Sequence, residues 1–422
     1  MLSTAVIAQQ LTRRASWEAS ITYENGLGAK VISLPEDSKL MKAGVKTGDI
    51  VLKVNDIHIV SGETWTTATY SLRESEETTL LIRRGTATFS VSVMLNPLPL
   101  EKHVNHDTYY EQVTSDYGIA HRVIITKPKG VDEPLPAIFL IQGLSCSSIE
   151  TYPGRTGNWP ETIKTVVEQS GMVVMRVEKP GVGDSEGDCA YADFHMEIEG
   201  YRAAVRFLKS KSYVDTTKIV VYGSSMGSAL APKLANEFGA AGVISDGTFF
   251  KTWYEHMLEI ERRIRQMQGD DESVIVKKMN EIYIPLYYGM LIEKKSYREI
   301  LDQYPAMKDH MYHSPNHMYG RPMKYYHQLQ DMDLAGEWEK IKVPVRILYG
   351  SNDWIMSEFD NHMIIKVLDK NGHEDHQLLI YPGLDHWNTI HEKPEDSFFG
   401  KPGQWDPQTA KTIVDWAKGM VE

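Results

Sequence analysis

Ile219-Val220-Val221-Tyr222-Gly223-Ser224-Ser225-Met226-Gly227-Ser228-Ala229-Leu230 decides how the rest of the chain is read. Its β-branched and aromatic start predicts a short buried strand, and Gly223 breaks it. The small residues that follow run into Ala231-Pro232-Lys233-Leu234-Ala235-Asn236-Glu237-Phe238, which predicts a helix. Strand, tight turn and helix thus enclose a G-x-S-x-G pattern centred on Ser225. In that setting the glycines let backbone pass closely, the serine hydroxyl is lifted out of the turn, and the next N–H can donate to an oxyanion. The same pattern recurs as Gly183-Asp184-Ser185-Glu186-Gly187. There Lys179-Pro180-Gly181-Val182 intervenes after the preceding strand-like run and no helix follows directly. Ser225 is therefore the candidate nucleophile and Ser185 a loop serine.

Working outward, strands are expected at 121–126, 137–141, 172–177, 219–222, 242–245, 343–349 and 377–381. Helices are expected at 160–169, 194–209, 225–238, 357–368 and 410–420. Such alternation implies an α/β fold with a mostly parallel sheet covered on both faces. Between about 248 and 340 the alternation stops, and the region reads as helical and crowded with Tyr, Met and His, as in Met307-Lys308-Asp309-His310-Met311-Tyr312-His313. Stripes of this kind read first as core. As an insertion at this point of the fold they predict a helical cap over the carboxyl ends of the strands.

A serine hydroxyl is a poor nucleophile unless a base takes its proton and a third group holds the base. Val343-Pro344-Val345-Arg346-Ile347-Leu348-Tyr349-Gly350-Ser351-Asn352-Asp353 places Asp353 just past a strand, and Gln377-Leu378-Leu379-Ile380-Tyr381-Pro382-Gly383-Leu384-Asp385-His386 places His386 just past the last one. Asp246, which follows the strand after Ser225, is the alternative acid. Asp385 reads as local structure, His195, His362, His373 and His376 as surface or helix residues, and Glu178, Asp184 and Glu186 as members of a loop along the same rim.

With these residues in place, the part from about 110 to 422 resembles the α/β-hydrolase family. The resemblance implies Ser225 as nucleophile, His386 as general base and Asp353 as the acid that orients it. It also implies an oxyanion loop at Ile141-Gln142-Gly143-Leu144-Ser145-Cys146, with the N–H groups of Leu144 and Met226 as donors. Gln142 stands where the family often has histidine, and Ser224 and Ser228 where His and Gly are frequent, so the substrate is not assigned by the resemblance.

Ahead of this part the pattern is β-rich, with strands expected at 29–34, 49–54, 78–83 and 88–93 and a helix at 64–72. Gly26-Leu27-Gly28-Ala29 before a strand and Lys42-Ala43-Gly44-Val45-Lys46-Thr47-Gly48-Asp49-Ile50-Val51-Leu52-Lys53-Val54-Asn55-Asp56 make this segment resemble a PDZ domain. That resemblance implies strand addition of a peptide whose C-terminal carboxylate meets the N–H groups of Leu27 and Gly28. The competing reading is a rigid lid or interface with no peptide ligand. Asn96-Pro97-Leu98-Pro99-Leu100 punctuates the chain. The expected organisation is a PDZ-like domain at 12–96, a linker at 97–110 and a hydrolase domain at 111–422, with the cap at about 248–340. His103, His106, Asp107, Tyr109 and Tyr110 read as polar connecting residues rather than a metal site.

A net charge of -12 over 422 residues, with no long basic run, argues against nucleic acid as the partner. No apolar run approaches the ~18 residues of a membrane span. Residues 1–10 look like the tail of a secretory signal, and equally like a frayed apolar terminus. Cys146 and Cys189 follow consecutive strands of one sheet, so a disulfide between them is expected as one of two outcomes. It would suit a periplasmic or secreted setting, with the cytoplasm left open. Nothing in the sequence calls for a metal or a cofactor. The expected activity is cleavage of a carboxylic ester through an acyl-enzyme on Ser225, acting on a small-molecule or peptide acyl substrate. A peptidase or amidase, a thioesterase or acyltransferase, and a non-catalytic PDZ scaffold with an inactive hydrolase fold are the alternatives.

Overall fold

The computed structural model describes residues 11–24, 26–310 and 317–422, so the signal-like stretch 1–10 and Met311, Tyr312 and His313 of the expected cap lie outside the described residues. The chain divides into two compact units, Met1–Glu101 and Lys102–Glu422.

The first unit contains β1 (Ser20–Glu24), β2 (Gly28–Ser33), α1 (Lys39–Lys42), β3 (Ile50–Val54), β4 (Ile57–His58), α2 (Gly62–Tyr70), β5 (Glu77–Arg84) and β6 (Ala87–Met94). Its sheet runs β1-β2-β3-β5-β6, with β4 paired to β3. Leu80 and Ile82 alternate inward from β5 into one core with Val31, Leu40, Val51 and Trp65. Buried Asp49 follows the left-handed Gly48 and holds Arg84 in a two-pronged pair at 2.7 and 2.8 Å, which fixes the turn into β3. Ser61 and Thr64 form a capping box that starts α2.

The expected carboxylate site at Leu27 and Gly28 needs correction. Both residues lie at the turn of the β1–β2 hairpin, and β2 pairs with β1 on one side and β3 on the other. Strand addition needs an unpaired edge, and β2 has none to offer there. Gly28 is required for packing instead, since a Cβ on it would sit 2.5 Å from the Val51 carbonyl oxygen.

The second unit opens with β7 (His106–Thr114), β8 (Ala120–Pro128), β9 (Leu135–Ile141), α3 (Asn158–Gln169), β10 (Val173–Val177), α4 (Phe194–Lys209), β11 (Val214–Ser224), α5 (Met226–Phe238) and β12 (Gly242–Asp246). A helical insertion follows, with α6 (Trp253–Met267), α7 (Glu272–Lys278), α8 (Ile284–Tyr287), α9 (Tyr297–Gln303), the short strands β13 (His317–Met318) and β14 (Arg321–Pro322), α10 (Met323–Gln330) and α11 (Leu334–Glu339). The chain then returns through β15 (Val345–Gly350), α12 (Glu358–Lys370), β16 (His376–Tyr381), α13 (Pro394–Phe398) and α14 (Pro407–Gly419).

These strands form one sheet in the order β16-β15-β12-β11-β9-β10-β8-β7, in which only β8 runs against its neighbours. Along β9, Ile138 and Leu140 join a cluster with Val166 of α3 and Ile413 of α14, whereas Phe139 and Ile141 join Tyr201 of α4 and Leu230 of α5. Both faces are therefore dry, as near-continuous apolar strands require. β9 has β10 on one side and β11 on the other, so the winding reverses there and the carboxyl ends of β9 and β11 flank a crevice.

The expected linker at 97–110 is too long. Residues from His106 onward already form edge strand β7, which pairs with β8 along its whole length. Half-exposed and polar, that strand carries no clear apolar alternation, which is why it reads as a connection. His103, within the expected linker, places Nδ1 3.0 Å from Glu168 of α3.

Within the insertion, Trp253, Tyr283, Tyr287, Tyr325, Tyr326 and Trp338 are buried and form its interior. Two π-helical turns, Met279–Tyr283 and Tyr288–Ile292, flank α8. Pro285 near the start of α8 has no amide hydrogen to offer the helical ladder, so the adjoining turns widen.

Candidate active site

β11 ends at Ser224 and α5 begins at Met226, so Ser225 alone makes the turn. Its φ of 55° and ψ of -123° are strained for a residue with a side chain, and its N–H is held by the Asp246 carbonyl at 2.8 Å. The motif glycines are dictated by contact. A Cβ on Gly223 would lie 2.2 Å from the Gly227 carbonyl oxygen, and one on Gly227 would lie 2.3 Å from that of Ile141.

His386 Nε2 lies 2.9 Å from Ser225 Oγ, and its Nδ1 lies 2.8 Å from Asp353 Oδ2. The other Asp353 oxygen accepts the N–H groups of Ile355 and Met356, each at 2.8 Å, which locks the carboxylate in place. Burial works to raise the Asp353 pKa, but the charge and hydrogen bond of His386 and the two backbone donors outweigh it, and the pKa is lowered. Burial likewise opposes the charged form of His386, yet the Asp353 charge and hydrogen bond prevail and raise it above its ordinary value. This arrangement can take a proton from Ser225 and hold the resulting imidazolium.

Asp246, the alternative acid, is buried in the same neighbourhood but serves otherwise. Its side chain accepts the Tyr222 hydroxyl at 3.3 Å, and burial raises its pKa to about 6. The Nδ1 position of His386 is taken by Asp353. Asp385 shapes the histidine loop, accepting Trp387 N–H and Thr389 N–H at 2.9 Å and the Ser397 hydroxyl at 2.6 Å.

The loop after β9 runs against the serine, since a Cβ on Gly143 would lie 3.0 Å from Ser225 Cβ and 3.4 Å from its Oγ. Leu144 follows in this loop. Met226 is the first residue of α5, so its N–H has no acceptor within the helix. Two residues beyond Leu144, Cys146 is joined to Cys189 by a disulfide.

Ser185 is buried away from this chemistry, its hydroxyl accepting Arg122 N–H at 2.9 Å and donating to the Glu178 carbonyl at 3.2 Å. Asp184 pairs with Arg122 at 3.0 Å. Glu178 accepts the Ser148 hydroxyl and Ile149 N–H, and burial with the nearby Glu150 charge pushes its pKa up to about 8. Sequence reasoning passed over Trp354 and Trp387, the neighbours in sequence of Asp353 and His386. Their rings lie 5.8 Å apart, Trp387 is half exposed and packs 5.6 Å from the His386 ring, and Trp354 packs on Phe398. The signal was a Trp directly after each of the two polar candidates. Among the described residues, no group of three or more His, Cys, Asp or Glu is placed to hold a metal ion.

Esterase EstD of Thermotoga maritima is 23% identical over 319 residues, covering 75% of this chain and 69% of its own length. Among solved structures, the Pyrococcus furiosus esterase Pf2001 is 13% identical at a TM-score of 0.45, covering 77% of this chain and 98% of that one. Acetyl xylan esterase 1 from Thermoanaerobacterium sp. JW/SL YS485 is 14% identical at a TM-score of 0.45, covering 76% and 86%. Residues 157–394, more than half of the chain, match the family described as serine aminopeptidase, S33. The chain belongs to this family of α/β hydrolases.

Proposed function

We propose that the protein hydrolyses a carboxylic ester through an acyl-enzyme on Ser225. The observation that carries this reading is the continuous relay from Ser225 Oγ through His386 to Asp353, at 2.9 and 2.8 Å. Ser225 Oγ attacks the ester carbonyl carbon while His386 Nε2 takes its proton, and the carbonyl oxygen becomes an oxyanion facing Met226 N–H and Leu144 N–H. His386 then returns the proton to the leaving alkoxide. Water, deprotonated by the same imidazole, releases the acid and frees Ser225.

The aromatic pair Trp354 and Trp387 beside the relay supports an apolar or aromatic ester, and the relative named as an esterase supports an ester without specifying its acyl group. The family's description favours a second reading, removal of an N-terminal amino acid from a peptide. p-Nitrophenyl esters and aminoacyl p-nitroanilides separate the two. We expect ester turnover, fluorophosphonate labelling, and loss of both in Ser225→Ala. Turnover of anilides alone would favour the peptidase, and folded protein inert to all three reagents would leave the scaffold reading.

For the first unit, the turn built on Asp49 and Arg84 supports a PDZ-like module. A peptide would add to the outer edge of β1, which ends the sheet. The Cys146–Cys189 bond supports a periplasmic or secreted setting.

A further inference from the structure

Lys179 is a buried cation that the relay does not use, its side chain fully covered. Its Nζ donates to the Gly143 carbonyl and, at 3.2 Å, to that of Ser145. Those oxygens bracket Leu144 in the loop that runs against Ser225. No peptide bond among the described residues is cis, so the C=O and N–H of the Gly143–Leu144 peptide point in opposite directions. With the oxygen held by Lys179, the Leu144 N–H faces away from the lysine. Gly143 Cα lies against Ser225 in the same stretch.

The lysine is in turn held from behind. Its ammonium lies 3.3 Å from Glu197 Oε1 of α4, which also accepts the Tyr201 hydroxyl at 3.2 Å. The other Glu197 oxygen binds buried Arg321 of β14, and Arg321 Nη1 also reaches the sulfurs of Cys189 and, at 3.5 Å, Cys146. The loop is thus held at 143, 145 and 146 by one buried assembly with two cations and one carboxylate. A cation on the carbonyl end of a peptide polarises it and strengthens its N–H as a donor, most of all where water is absent.

We propose that Lys179 is a positioning residue for acyl transfer. By gripping the Gly143 and Ser145 carbonyls, it presents a polarised Leu144 N–H to the oxyanion that forms at Ser225. This inference rests on the acyl-enzyme reading above. Its effect falls on the transition state, because the ester ground state places little charge on that oxygen.

The test is Lys179→Met in the full chain, compared with wild type on a p-nitrophenyl ester and with an aryl trifluoromethyl ketone as inhibitor. Ser225 Oγ adds to the ketone carbon, its proton passes to His386, and the oxygen remains as an anion, so ketone affinity reads the oxyanion site directly. The expected result is a loss of at least about tenfold in both kcat and ketone affinity, with KM within about threefold, a part of what removing a whole donor costs. Where Lys179→Met does not fold, Glu197→Gln takes the counter-charge from both Lys179 and Arg321. Without it the buried Lys179 ammonium, which burial already makes easier to deprotonate, gives up its proton and its charge on the loop. This variant is expected to weaken ketone inhibition at least about threefold at nearly constant KM. Unchanged kcat and ketone affinity in a folded variant, or a loss confined to KM, overturns the role of Lys179 while leaving the acyl-enzyme intact. Wild-type protein that is neither labelled at Ser225 by fluorophosphonate nor active on esters overturns both.

Discussion

His386 receives opposing instructions from its surroundings, and their balance sets the working pH. Burial favours the neutral ring, but Asp353 wins and the pKa rises. The base must be neutral to accept the Ser225 proton, so kcat/KM should climb with pH through an apparent pKa above the ~6.5 of an ordinary histidine. Asp353→Asn should shift that limb to lower pH and reduce kcat by about 10³-fold or more, because the ring loses both its counter-charge and its fixed orientation. Asp246→Asn should cost under about tenfold, since Asp246 does not hold Nδ1. pH-rate profiles of the three proteins check both. The sequence alone left two acids open because each follows a strand of the same sheet. What separates them is the direction in which the loop after Asp353 folds back to present two N–H groups to one oxygen.

Among elements, the turn between β11 and α5 is the tightest. Gly227→Ala would press a methyl group against the Ile141 and Gln142 carbonyls, which are backbone and cannot yield. It should destabilise the second unit by about 1–3 kcal/mol or prevent its folding, as thermal unfolding would show. The loop after β10 makes a pH-dependent contribution through Glu178. Its folded pKa, about 8, lies above the ordinary 4.5, so the fold prefers the neutral carboxyl. Its stabilising share is complete below 4.5 and is lost as pH rises toward 8. Glu178→Gln keeps the shape without titrating. Its melting temperature relative to wild type should therefore rise across that window, by about 3 °C or more at the alkaline end. Equal melting curves at both ends would show that the carboxyl is not neutral in the fold.

Legibility of elements followed burial. β9 to β12 were readable because both faces are dry, and α4 because its apolar stripe is regular. β7 was not, because one edge and much of its surface meet water. Nor was the β1–β2 hairpin, where the resemblance to a PDZ domain implied a free edge that pairing with β1 fills. Lys179 was invisible for a different reason: its partners lie 34 and 36 residues away, and only the sheet order brings β9 and β10 side by side.

At the scale of the molecule, each unit has an apolar core of its own. Residues 102–422 expressed alone should fold and retain ester turnover within about threefold of the full chain, as separate domain cores allow. Loss of solubility or of activity would show that the first unit is needed for more than its own stability.

The bond between Cys146 and Cys189 spans a segment that includes α3, β10 and the exposed turn at 153–157. A protease that nicks this turn would sever the chain between the Gly143–Leu144 peptide and all three members of the relay. The fragments would stay joined through the sulfur bridge, migrating as one band until a reductant parts them into two. Nicked protein should keep working, because β9 stays paired with β10 and β11 across the cut, and the bridge adds a covalent tie between the fragments as well as a brace for the loop.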